Sequence, residues 1–75
     1  MRVGMMWVDS DRRRTLEEKV QRAADYYFDK YGRVPELCLV SQSQLEKETE
    51  VGRVKVIAAR NVMPNYFWLG MALAT

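Results

Sequence analysis

The sequence predicts an α+β domain of two layers, one long helix packed on a four-stranded mixed sheet, built as a βαβ unit followed by a β-hairpin. Three observations predict it. Residues 15–31 (TLEEKVQRAADYYFDKY) form the one segment with sustained helical periodicity. Apolar runs of strand length flank it at residues 1–8 and 36–41. Two more β-rich runs, 53–60 and 66–73, follow, with the turn pair Pro64-Asn65 between them.

The helix is specified at every level. At 100° per residue Leu16, Val20, Ala23, Ala24, Tyr27 and Tyr31 fall within about 50° of one line, whereas Glu18, Gln21, Arg22, Asp25 and Asp29 point away. Thr15 followed by Glu18 is a capping box. Glu17 and Glu18 suit the positive end of the helix dipole and Lys30 the negative end. Gly32 supplies a left-handed stop and Pro35 prevents resumption. The angular positions place Tyr27 in the core and Tyr26 on the flank.

The strands follow in order. Residues 1–8 (MRVGMMWV) and 36–41 (ELCLVS) are nearly continuous apolar runs, read as strands buried on both faces, parallel to each other and joined by the helix. Residues 42–52 (QSQLEKETEVG) are polar, anchored only by Leu45 and Val51, and form either a helical turn at 43–48 or a surface loop. RVKVIAAR is β-branched and YFWLGMAL aromatic, and these two runs are expected to pair as an antiparallel hairpin.

Seventy-five residues make one domain, 1–75, near the lower limit for a self-sufficient core. One cysteine permits no internal disulfide, and the absence of His removes the commonest metal ligand and general base. Oligomerisation, or a core rich for its size, is then the remaining reinforcement, and 48% apolar content suits both. No apolar stretch reaches the length of a membrane span or of a signal peptide's apolar region, so a cytoplasmic protein is expected. A net charge of +2 does not by itself imply nucleic acid.

One helix covers one face of a sheet, yet both faces of the strands read as apolar. In the last strand Tyr66, Trp68 and Gly70 oppose Phe67, Leu69 and Met71; in the first, Gly4, Met6 and Val8 oppose Val3, Met5 and Trp7. An uncovered apolar face marks an interaction surface, and a twofold homodimer stacking sheet on sheet is the expected cover. Trp7, Tyr66 and Trp68 are the interface candidates, since large aromatics dominate such contacts. A further protein partner is a second expectation.

Two constellations carry alternative chemistry. Asp9 and Asp11 follow the first strand, where α/β sheets place ligand sites, and two carboxylates there can hold Mg²⁺ while Arg12, Arg13 and Arg14 grip a phosphate. A first strand ending in Asp, then arginines and a helix, resembles the start of the small CRISPR-associated nucleases, over the segment up to Val20. That family has a ferredoxin-like fold with a second long helix, which residues 42–52 do not supply. The second constellation is Tyr66, Phe67 and Trp68, with Trp7, as a platform for single-stranded bases, beside Arg53, Lys55 and Arg60 for phosphates. The RNA-recognition signature is absent. Cys38 sits in an apolar strand without His or a near basic residue, which predicts an inert thiol. No catalytic motif is present, so the leading expectation is a small non-catalytic binding protein that acts as a homodimer.

Overall fold

The computed structural model describes residues 4–71, which form one helix on one five-stranded mixed sheet. The elements are β1 (Gly4–Val8), α1 (Leu16–Tyr31), β2 (Leu37–Ser41), β3 (Thr49–Val51), β4 (Val54–Ala59) and β5 (Tyr66–Gly70), in sheet order β1-β5-β2-β4-β3. The α+β class and the single long helix agree with the sequence reading. The parts of the expected first and last strands at 1–3 and 72–73 lie outside the described residues.

The helix forms as its sequence dictates. Thr15 is the N-cap, its hydroxyl accepting the Glu18 N–H at 3.1 Å while Glu18 accepts the Thr15 N–H at 2.8 Å. Gly32 ends it at φ 72°, its N–H donating to the Phe28 carbonyl at 2.7 Å. The apolar stripe of Val20, Ala23, Ala24 and Tyr27 is buried against Met5, Phe67, Leu69, Cys38, Val40, Val54 and Val56, the inner faces of four strands. Tyr26 stays on the flank, exposed, as its angle requires.

Four expectations are corrected. The sheet has five strands rather than four, because the polar segment after β2 contributes β3, joined to β4 by the two-residue loop Gly52-Arg53. Gly52 at φ 60° takes the left-handed position that such a hairpin loop demands. Charged Glu50 and Lys55 face each other across this pair, which hides the short strand from an apolarity-based reading.

The βαβ unit is also split. β1 and β2 run parallel, as expected, but β5 lies between them, antiparallel to both. The expected β4–β5 hairpin does not form: β4 pairs with β2 and β3, and the connection 60–65 crosses the end of β2 to reach the far lane. Two lanes are about 10 Å apart, a distance six residues span easily. Burial explains the placement. β5 hides Phe67, Leu69 and Gly70 and so takes an interior lane, whereas β3, exposed at Thr49 and Glu50, takes a border.

The fourth correction concerns β1. It is buried on one face only, with Met5 at 7% exposure and Met6 and Val8 at 56% and 55%. Its alternation is that of a border strand.

Candidate functional site

Beyond Val8, the Asp9 N–H donates to the Asn65 carbonyl at 3.0 Å and prolongs the β1–β5 ladder by one step. This fixes Asp9 in a buried position at the carboxyl end of β1, beside the start of α1. Its Oδ1 accepts the Asp11 N–H at 3.1 Å and Arg14 Nη1 at 3.3 Å. Arg14 Nη1 also lies 3.2 Å from Asp11 Oδ2. Asp11 Oδ1 accepts the Arg13 N–H at 2.9 Å and Nε at 3.2 Å, and Oδ2 accepts Nη2 at 3.2 Å. The Arg13 guanidinium and then its backbone N–H hold the Asp11 carboxyl below its ordinary range, with further help from the charges of Arg14 and Lys19.

Asp9 and Asp11 are thus brought together, as the metal reading requires, but their lone pairs are directed at Arg13, Arg14 and the turn's own backbone. A cation entering between them has to displace Arg14 from both. The helix N-terminus is occupied in the same way by Thr15 and Glu18, which leaves exposed Arg12 as the arginine of the triplet with no ion pair among the described residues. Among the described residues no three His, Cys, Asp or Glu side chains cluster as a metal site would require.

The sheet face opposite α1 is a different surface. Register places Met6, Trp68, Leu39 and Ile57 in one row across four strands. Val8 and Tyr66 form a second pair beside them, and Tyr66 is 39% exposed. Trp68 lies flat toward β1, over Gly4: a Cβ built on Gly4 would overlap its Cζ2 and Cε2. The β4–β5 connection folds back and buries Val62, which with Asn61, Gly4, Met6, Leu39 and Trp68 lines an open groove of about 420 Å³.

Of the aromatic candidates, Tyr66 and Trp68 lie on this open face, whereas Phe67 is fully buried beneath α1. Trp7 sits on the helix side of β1, its ring 4.8 Å from that of Tyr26 and tilted 43° to it, with its buried Nε1 lacking a partner among the described residues. Trp7 therefore does not share a face with Tyr66 and Trp68; the three meet only around the β1 border. The cations scatter as well: Arg53 is in the β3–β4 loop, Lys55 is 3.6 Å from Glu48, and Arg60 lies beyond β4.

No family model, curated protein or solved structure matches this chain. The reading of function rests on these surfaces alone. Among the described residues no helix is long and apolar enough to cross a membrane.

The sequence reading did not single out Met6 and Val8 as exposed, nor Gln44 and Asn65 as partners. Strand order exposes the first two, and strand order is carried by long-range burial. The Asn-containing turn was visible, but nothing local marks Gln44 as its partner. Cys38 is fully buried in the core, and desolvation pushes its thiol up to about 12, in line with an inert sulfur.

Proposed function

We propose that this chain is a small non-catalytic binding protein that acts as a homodimer, with the apolar sheet face opposite α1 and its β1 border as the surface open to partners. One observation carries the reading: the apolar row Met6, Trp68, Leu39 and Ile57 runs across four strands on the face opposite α1, with Met6 exposed and the other three partly buried. Exposed Val8 and Tyr66 add a second pair beside that row, two residues further along β1 and β5. Apolar surface gathered on one face is a driving force for association, at roughly 25 cal/mol per Å² removed from water. A second copy is the first partner and another protein the second.

Sedimentation velocity over a micromolar dilution series tests the dimer. Two-chain species that dissociate on dilution are expected; a monomer at every concentration overturns the reading. Magnesium-dependent phosphoryl transfer at Asp9 and Asp11 receives less support, because Arg13 and Arg14 already engage both carboxylates. Calorimetric titration with Mg²⁺ is expected to give no heat that Asp9→Ala abolishes. Binding of single-stranded nucleic acid is weakened by the burial of Phe67 and the scatter of Arg53, Lys55 and Arg60.

A further inference from the structure

Two strands border the sheet, and they are built differently. β3 has three residues, an exposed Glu50 at its centre, and Lys47 and Glu48 just before it. Short, charged borders discourage the addition of another strand. β1 has five residues, GMMWV, with no charge, no proline and an unbroken register to β5 that leaves no bulge. Among the described residues no strand lies beyond it.

The phase of β1 is set by the bond from the Asp9 N–H to the Asn65 carbonyl. Along an antiparallel strand, successive residues bond alternately to one side and the other. Met5, Trp7 and Asp9 therefore bond toward β5, and the N–H and C=O groups of Gly4, Met6 and Val8 point to the outer border. Of these three, Met6 and Val8 carry their side chains on the open sheet face, where both are more than half exposed. Among the described residues, backbone without a strand partner and exposed apolar side chains thus coincide on one border.

We infer that β1 pairs antiparallel with β1 of a second copy of this chain, about a twofold axis through Met6, joining two five-stranded sheets into one of ten strands. The inference rests on the homodimer reading and places the seam between the two copies at the β1 border. The outward residues are spaced evenly about Met6, so the strand is complementary to its own rotated copy, as an isologous contact requires. Met6 meets the second copy's Met6, and each Gly4 meets the other copy's Val8, small against β-branched. Each of these three pairs exchanges two backbone hydrogen bonds, about six in all. On the helix side the same border opens into a groove lined by Trp7, Arg22, Asp25, Tyr26 and Asp29. The open faces of both copies then lie side by side, available to a further partner.

Met6→Pro is the direct test. It removes an outward N–H and leaves the bonds from Met5, Trp7 and Asp9 to β5 in place, so the fold, followed by far-ultraviolet circular dichroism, is expected to persist. Self-association is expected to weaken at least tenfold in Met6→Pro and in Val8→Lys, the second variant guarding against misfolding of the first. Ile57→Lys, on the open face three lanes from the border, is expected to dimerise like wild type. In wild type, the Met6 and Val8 amides are expected to gain protection from hydrogen exchange as concentration rises. Wild-type affinity in both border variants, with loss in Ile57→Lys, overturns border pairing in favour of stacked faces and leaves the homodimer standing. A wild-type chain that stays monomeric overturns both, as does one whose border amides are protected only by an added extended peptide.

Discussion

The side-chain amide of Gln44 grips Asn65 at two points, Oε1 accepting the Asn65 N–H at 2.8 Å and Nε2 donating to Asn65 Oδ1 at 3.3 Å. Twenty-one positions separate the two residues, so the clamp fastens the turn after β2 to the turn before β5. It also steadies a non-glycine residue at φ 69°, the left-handed member of a Met63-to-Tyr66 turn closed by the Tyr66 N–H on the Met63 carbonyl at 3.1 Å. Gln44→Ala is expected to lower stability by about 1–2 kcal/mol in urea unfolding, since it leaves a part-buried N–H unpaired. Asn65→Gly keeps the backbone angle and is expected to cost less than Asn65→Ala, which adds left-handed strain of about 1 kcal/mol.

Gly4 and Trp68 occupy one space on neighbouring strands. Gly4→Ala is expected to cost about 1–3 kcal/mol, as overpacking does, and to change Trp68 fluorescence as the ring swings away from β1. In a Trp68→Leu background the same substitution is expected to be nearly neutral, and a double-mutant cycle measures the difference. A full cost in that background would assign the effect to the β1 backbone instead.

The capping box is a local device with a local consequence. Thr15→Ala removes the acceptor for the Glu18 N–H and is expected to lower stability by about 1 kcal/mol. Thr15→Asp restores an acceptor beside the helix dipole and is expected to recover most of it, as read by thermal unfolding.

Acid sensitivity follows from Asp11. Its carboxyl titrates lower in the folded chain than in the unfolded one, so its contribution is present above the ordinary carboxylate range and lost as pH falls through the folded value. Unfolding titrations of wild type and Asp11→Asn are expected to converge below roughly pH 4 and to separate above it, wild type being the more stable. Parallel curves across that range would show that Arg13 contributes nothing through Asp11.

Cys38 is expected to resist aromatic disulfide reagents at neutral pH until the chain opens. Burial excludes the reagent and desolvation keeps the sulfur protonated. Labelling kinetics should therefore track unfolding, accelerating with urea in proportion to the open population. Fast labelling of the folded chain would mean that β2 opens locally.

Local chemistry announced the local structure. Thr15, Glu18 and Gly32 mark the helix ends, the stripe from Leu16 to Tyr31 marks its inner side, and Pro64-Asn65 marks a turn. The strands at β1, β2, β4 and β5 were readable from apolarity. Their neighbours were not, because β5 sits between β1 and β2 for reasons of total burial that no short window contains. β3 escaped because Glu50 pairs with Lys55 rather than with an apolar residue. That Asp9 and Asp11 follow the first strand was legible, but their capture by Arg13 and Arg14 depends on how tightly one turn folds.

The position of β5 also bears on how the molecule comes into being. The lane between β1 and β2 stays vacant until the last described strand has left the ribosome, and Phe67 and Leu69 then enter it from the far end of the chain. The first two strands with their helix hold no complete core during synthesis. Assembly must therefore be late and concerted, its rate set by closure of a loop nearly as long as the chain, and β1 waits unpaired on both sides until that moment.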